Sequence, residues 1–204
     1  MRSNTSGAAP IRSLTDGGPV GLATSLLIIL AGSAAIAIAA KIKVPFYPVP
    51  MTLQTLAVMA IAASCGSRLA VLAVLAYLAE GLAGLPVFTN TPPAAAGPAY
   101  FLGPTGGFLV GFVAMAAIVG FAADRGFGRS VPKLILAMLA GEVVMMALGF
   151  SWFAVFAQLS DGRVGPGAAF AWQWGVAPFI PGDLLKILLA ALAVPAVWSL
   201  LGRH

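Results

Sequence analysis

Long apolar stretches without any charged residue limit what this chain can fold into. Residues 20–40 contain no charged side chain, and the 204-residue sequence has 60% hydrophobic residues with only 11 basic and 6 acidic ones. A water-exposed surface needs far more charge than this, and about 20 apolar residues suffice for one helix to span a bilayer. The sequence therefore predicts an all-α polytopic membrane protein.

The spacing of apolar segments between Gly- and Pro-rich connections predicts six transmembrane helices. They lie at about residues 19–40, 51–64, 69–84, 104–123, 132–158 and 181–201. The second and third are short, and a four- or five-helix topology follows if either lies in the membrane interface. We expect one integral membrane domain over residues 1–204, in which residues 1–18 form a flexible cytoplasmic N-terminus.

Basic residues are unequally divided between the two sides of this topology. Seven lie on the side of the termini, namely Arg2, Arg12, Arg68, Arg125, Arg129, Lys133 and Arg203. Three lie with the two long connections, namely Lys41, Lys43 and Arg163. The positive-inside rule then predicts cytoplasmic termini and external long loops at residues 85–103 and 159–180. The single cysteine, Cys65, indicates no oxidising compartment, and we expect a bacterial inner-membrane protein. Because the basic residues are scattered rather than clustered with aromatic ones, we expect no nucleic-acid partner.

An aspartate and a lysine lie three residues apart in the last apolar segment. Asp183 falls in the first predicted helical turn, where free N–H groups and the helix dipole favour a negative charge, and Lys186 falls on the same face. Intramembrane ionisable residues persist mainly where they face a bundle interior or a cavity. We interpret the pair as the polar part of a small-molecule site near aromatic residues such as Trp174. The alternative is an intrahelical pair near the interface, with Lys186 reaching toward the lipid head groups.

Two more carboxylates, Glu80 and Glu142, fall inside predicted helices. Each can be protonated, hydrogen-bonded to a neighbouring helix or part of a proton pathway, and we favour a structural role for both. Gln54, near the start of the second helix, is similar but easier to bury.

Enzymatic chemistry has little support in this sequence. The single histidine, His204, builds neither a metal-ligand cluster nor a serine–histidine pair, and no Gly-x-x-x-x-Gly-Lys-Ser/Thr loop occurs. We therefore expect no enzyme activity, no metal and no cofactor, and any ATP-driven step must be powered by another subunit. A channel is possible, although no ring-forming filter motif occurs, and a membrane-embedded enzyme is the least favoured interpretation.

Small residues recur every four positions in the first predicted helix, at Ala31, Ala35 and Ala39. Such a stripe lets another helix approach closely, either within the bundle or from a partner subunit.

Four segments are informative together: VPFYPVPMTLQT at residues 44–55, GLPVF at 84–88, FLGPTGG at 101–107 and FIPGDLLK at 179–186. They resemble the BioY family, the biotin-specific substrate-capture (S) component of energy-coupling-factor transporters. The segments follow the family's order across most of the chain. The resemblance implies a six-helix S component that binds biotin in an external-side cavity.

The resemblance also implies roles for particular residues. Asp183 and Lys186 match the family's ligand-binding aspartate and lysine, and Asn90 is the asparagine in the connection that contributes a third contact, although residues 91–98 depart from the usual glycine-rich sequence. The small-residue stripe would dock on a transmembrane coupling subunit driven by two ATPase subunits. We expect Asp183 and Asn90 to take ureido groups of biotin, and Lys186 to take a carboxylate or the ureido carbonyl. The aromatic residues expected to cover the biotin ring are Tyr47, Tyr100 and Trp174.

The expected function is high-affinity capture of biotin followed by its release to the cytoplasm. The alternative is an ATP-independent secondary transporter of biotin or a related small carboxylate, with Glu80 or Glu142 as a proton site. The sequence leaves open whether the chain acts alone, as a homo-oligomer or with a coupling module.

Overall fold

The structure, a computed structural model, describes residues 18–44, 51–94 and 96–200. This part of the chain forms a helical bundle and one short β-hairpin. The helices are α1 (Gly18–Lys41), α2 (Gln54–Leu82), α3 (Pro98–Leu102), α4 (Gly106–Asp124), α5 (Val131–Val155), α6 (Ala168–Ala171) and α7 (Ile180–Leu200). The strands β1 (Lys43–Val44) and β2 (Met51–Thr52) pair antiparallel. Five helices are apolar and long enough to cross a membrane: α1, α2, α4, α5 and α7.

The longest helix, α2, is folded back on itself at Gly66. This residue has φ 77° and ψ 175°, which is not helical. The Gln54 amide donates a hydrogen bond to the Tyr77 hydroxyl at 2.8 Å although 23 residues separate the two. In a straight helix they would be about 35 Å apart. Residues 54–65 and 67–82 therefore run back to back as two helical arms, which agrees with the two short helices predicted at residues 51–64 and 69–84 and so with a six-helix bundle.

The turn at Gly66 is stabilised by the end of α4. A left-handed φ favours glycine, because a side chain there would be strained. The N–H of Ser67 has no acceptor within its own helix, because it lies at the start of the second arm. It donates instead to the Asp124 carboxylate at 3.1 Å. Gly120 lets α4 approach closely, since a Cβ at this position would lie 2.5 Å from the Ser67 backbone. The two short predicted helices are thus the arms of a hairpin that α4 supports.

Helix α1 lies at the edge of the bundle. Only 22% of its apolar span is buried, compared with 39–61% for the other four spans. Ser33 and Ile36 face inward and are fully buried. Within the predicted small-residue stripe, Ala31 and Ala35 are exposed whereas Ala39 is buried. Ala39 therefore belongs to internal packing, and only the first two alanines lie where a partner can reach them.

The ends of several elements meet at one end of the bundle. The first arm of α2 starts there, α4 and α7 start there, and α5 finishes there. Helix α6 continues into a π-helical turn over Trp172–Val176 that leads to α7. Such π-turns are rare and often occur at functional sites. The opposite end holds the Gly66 turn and a 3-10 turn over Phe127–Arg129.

Candidate functional site

A cavity of about 410 Å³ opens between these converging ends. Its volume falls in the range of about 300–1,000 Å³ that is usual for small-molecule sites. Most of the wall is aromatic or apolar, formed by Tyr77, Phe88, Tyr100, Phe108, Phe112, Met145, Met146, Phe153, Phe170, Trp174 and Phe179. The polar side chains in the wall are Thr52, Gln54, Thr55, Thr89, Asn90, Thr105, Asp183 and Lys186. An apolar wall with a few polar groups is suited to an amphiphilic small molecule.

A buried ion pair forms the polar centre of this cavity. Lys186 Nζ lies 2.8 Å from Asp183 Oδ1, and the two residues are only 5% and 3% exposed. The Thr55 hydroxyl donates to Asp183 Oδ1 at 3.0 Å and accepts from Lys186 Nζ at 3.1 Å. Thr55 thereby joins the first arm of α2 to α7. The three side chains form a closed polar triangle in an otherwise apolar wall.

The start of α7 has the sequence needed to place this pair. Asp183 lies in the first turn, where its backbone N–H donates to Phe179 O at 2.9 Å and its charge is favoured by the helix dipole. Gly182 lets the β-hairpin pack against the same turn, since a Cβ there would lie 2.1 Å from the sulfur of Met51. The β-hairpin and α7 therefore close one side of the cavity together.

Gln54 lies at the centre of a second cluster of hydrogen-bonded side chains in the cavity wall. Its amide nitrogen donates to Tyr77, and its Oε1 accepts from Thr89 at 2.7 Å and from Thr52 at 3.1 Å. Both ends of the Gln54 side chain are thus engaged. These bonds tie the two arms of α2, the β-hairpin and the connection after α2 to one side chain.

The connection after α2 brings Asn90 and two aromatic rings to the cavity. Phe88 is 1% exposed, and its ring stacks on Tyr100 with centroids 4.6 Å apart at 19°. Burial raises the pKa of Tyr100, so its hydroxyl remains neutral. Asn90 has a left-handed backbone with φ 67°, and its side-chain Oδ1 accepts a hydrogen bond from Lys43 at 2.8 Å.

The structure brings five predicted site residues into this one cavity: Asn90, Tyr100, Trp174, Asp183 and Lys186. Tyr47 lies outside the described residues. Sequence reasoning missed Thr55, Tyr77 and Thr89 and treated Gln54 as structural. Gln54 and Thr55 end the segment 44–55 that carries the resemblance, but neither has a charge that would single it out.

Glu142 is also buried, at 8% exposure, and lies near the ion pair. It interacts electrostatically with Asp183 and Lys186. No described donor reaches its carboxyl oxygens, but its carboxyl group lies within hydrogen-bonding reach of the Asp183 carboxyl group on α7. The interhelical hydrogen bond expected of Glu142 therefore forms only if one of these two carboxyl groups is protonated. Within the described ranges, no three His, Cys, Asp or Glu side chains are grouped so that they could hold a metal ion.

The buried pair predicts a characteristic pattern of stability. Asp183→Leu or Lys186→Met alone leaves one buried charge without its partner, and we expect each to destabilise the protein by about 3–5 kcal/mol. The double variant removes both charges and should be more stable than either single variant. Thermal unfolding in detergent measures this order.

The exposed pair of Asp161 and Arg163, 2.8 Å apart, serves as the control. Single substitutions there should change the melting temperature little, because solvent screens the charges. A double variant less stable than both single variants would contradict an energetically coupled Asp183–Lys186 pair.

Comparison with known proteins places this bundle and cavity in a family. Residues 8–203 match the BioY family. The chain is 36% identical over 187 residues to the biotin transporter BioY of Rhizobium etli, covering 86% of this chain and 94% of that protein. It is 32% identical over 168 residues to the biotin transporter BioY2 of Lactococcus lactis, covering 82% and 86%.

A solved structure has the same fold. It is a crystal structure of the S-component for biotin from an ECF-type ABC transporter, with a TM-score of 0.69 and 24% identity, covering 90% of this chain and 95% of that chain. By its sequence and its five apolar helices of membrane-spanning length, the chain is a multi-pass membrane protein that belongs to the BioY family.

Proposed function

We propose that this protein captures biotin in the cavity around Asp183 and Lys186 and delivers it across the membrane. The observation that carries the proposal is the buried Asp183–Thr55–Lys186 triangle, which opens on an aromatic-walled cavity of about 410 Å³. The names of the relatives as biotin transporters support biotin as the substrate, and the shared S-component fold supports a role in substrate capture.

The chemistry of biotin matches the polar and apolar parts of this cavity. Its ureido ring has two N–H donors and one carbonyl acceptor, its thiophane ring is apolar, and its valerate chain ends in a carboxylate. Asp183 Oδ1 accepts from both Lys186 and Thr55, so Oδ2 lies outside the triangle. Lys186 uses two of its three N–H donors within the triangle. One anionic acceptor and one cationic donor thus remain for the ligand.

The aromatic wall supports the same ligand. Burying the thiophane ring and the valerate methylenes against Phe and Trp side chains contributes roughly 25 cal/mol per Å² of apolar surface. Trp174 and Tyr100 line the cavity together with the stacked Phe88 ring. The polar triangle orients the ligand while these rings provide the apolar contact area.

The orientation in the membrane follows from the distribution of basic residues. Arg68, Arg125, Arg129 and Lys133 lie toward the Gly66 end of the bundle, opposite the cavity. By the positive-inside rule the Gly66 end faces the cytoplasm, and the cavity opens to the external side. We therefore propose a bacterial inner-membrane protein with cytoplasmic termini that takes biotin from outside.

Inward delivery requires an energy source, which we assign to separate subunits. The exposed face of α1, which includes Ala31 and Ala35, is the proposed contact with a transmembrane coupling subunit that two ATPase subunits drive. This helix is the least buried span in the bundle, and small residues permit close helix approach in lipid. This chain itself then catalyses no reaction.

One observation favours a second mechanism, in which transport is ATP-independent and uses protons. Glu142 is a buried carboxyl group that lies beside the ion pair and interacts with both Asp183 and Lys186. Intramembrane carboxyl groups of this kind occur in proton pathways. Uptake that collapses with the proton gradient, survives ATP depletion and is lost in Glu142→Gln would support this mechanism. Uptake that depends on ATP and persists in that variant would exclude it.

Biotin binding should depend on both charges of the pair. In calorimetric titration of detergent-purified protein, we expect Asp183→Asn and Lys186→Met each to weaken binding about 10- to 100-fold, because each removes a charge-assisted hydrogen bond. Asp161→Asn, in an exposed external-side loop, is the matched control and should bind like the unmodified protein. Unchanged affinity in both pair variants would assign the pair a purely structural role.

The exposed face of α1 should matter for transport but not for capture. Ala35→Trp adds a large side chain on the proposed docking face, so we expect normal biotin binding together with impaired uptake in cells. Ala147→Trp is the control, because Ala147 is exposed on α5. Normal uptake in the Ala35 variant would remove α1 from the docking role.

A further inference from the structure

Lys41, at the end of α1, and Lys43, in β1, contact the segment that carries Asn90. Lys41 Nζ donates to Phe88 O at 2.6 Å, to Thr91 Oγ1 at 3.3 Å and to Thr91 O. Lys43 Nζ donates to Asn90 Oδ1 at 2.8 Å. Lys41 therefore binds the segment on both sides of Asn90, and Lys43 binds the Asn90 side chain itself.

The bond from Lys43 determines which way the Asn90 amide points. The oxygen and nitrogen of an amide have nearly the same shape, so their positions must be decided from the hydrogen bonds they make. A lysine ammonium has three donors and no acceptor, so the Asn90 atom that faces it must be the oxygen. Nδ2, which makes no hydrogen bond to a described residue, is left as the free polar atom of Asn90.

Both partners of this bond are held by their backbones. Lys43 pairs with Thr52 in the β-hairpin, and Thr52 lines the cavity. Asn90 has φ 67°, a left-handed conformation that asparagine tolerates better than most residues. The Asn90 backbone carbonyl also accepts from Ala94 N at 2.8 Å. The backbones that carry the two side chains are thus fixed, and the bond itself joins two exposed side chains.

We propose that Lys43 is a positioning residue for ligand binding, which fixes the Asn90 amide so that Nδ2 donates a hydrogen bond to an acceptor of the ligand. This inference rests on the proposed function. It assigns opposite polarities to two parts of the cavity. Asn90 offers a donor to a carbonyl or carboxylate oxygen of biotin, and Asp183 offers the anionic acceptor for a ureido N–H.

Lys41 has a different role in the same segment. Its partners are two backbone carbonyls and the Thr91 hydroxyl, and none of them is the Asn90 side chain. Loss of Lys41 should loosen the whole segment, including Phe88 in the cavity wall. Loss of Lys43 should act only through Asn90, so the two lysines can be separated by experiment.

The test is a double-variant cycle, measured by calorimetric titration of the detergent-purified full chain with biotin. The variants are Lys43→Met, Lys43→Arg, Lys41→Met, Asn90→Ala and Asn90→Asp, and each lysine variant is also combined with Asn90→Ala. Lys133→Met, at the opposite end of the bundle, controls for the loss of one positive charge. Thermal unfolding of each variant shows that it is folded.

We expect Lys43→Met to weaken biotin binding about three- to tenfold, and Lys43→Arg, which keeps the donor, to bind within about twofold of the unmodified protein. In the Asn90→Ala background, Lys43→Met should have no further effect, whereas Lys41→Met should still weaken binding. Asn90→Asp keeps the contact with Lys43 but has no donor, so it should bind at least as weakly as Asn90→Ala.

Three results would overturn the inference while the unmodified protein still binds biotin. They are unchanged binding in Lys43→Met, an equal effect of Lys43→Met with and without Asn90, and retained or tighter binding in Asn90→Asp. The last result would mean that Asn90 accepts a hydrogen bond from the ligand. If the unmodified protein itself does not bind biotin, both the proposed function and this inference are wrong.

Discussion

The structure of the ligand cavity depends on one buried interaction, the Asp183–Thr55–Lys186 triangle. Moving two charges out of water is unfavourable by several kcal/mol per ion, even in a protein interior that can relax around them. The short distances within the triangle and the shared Thr55 hydroxyl offset this penalty. Because Thr55 is on α2 and the ion pair is on α7, the triangle joins two helices that are more than a hundred residues apart in sequence. A site of this kind persists only if the surrounding bundle holds both helices in register.

The helical hairpin of α2 makes this arrangement possible. The turn at Gly66 places residues from both arms, such as Gln54 and Tyr77, in the same wall of the cavity. Three glycines permit the sharp turn and the close packing in this arrangement. They are Gly66 at the turn, Gly120 where α4 meets that turn, and Gly182 where the β-hairpin meets α7. In this arrangement the ligand cavity lies at one end of the bundle, and the turns that carry basic residues lie at the opposite end.

Much of this architecture could be predicted from the sequence, because it depends on patterns that are local in the chain. Apolar length predicted the six-helix bundle, including the two short segments that form the hairpin. The charge pattern identified Asp183 and Lys186 as a pair, and the family resemblance identified Asn90. Thr55 and the lysine contacts to residues 88–91 were not predicted, since they are tertiary contacts between uncharged or exposed residues far apart in sequence. Lys41 and Lys43 were interpreted only as topology determinants, because their partners are backbone carbonyls and an amide oxygen with no charge to suggest pairing.

The most direct test of the account is biotin titration of the Asp183→Leu/Lys186→Met double variant beside the unmodified protein, with thermal unfolding of both. This variant removes the ion pair at the polar centre of the cavity without leaving either Asp183 or Lys186 as a buried unpaired charge, so it separates ligand binding from folding. The account predicts a folded double variant that binds biotin at least about 100-fold more weakly than the unmodified protein. A folded double variant that binds within about threefold of the unmodified protein would contradict the assignment of the triangle as the biotin site.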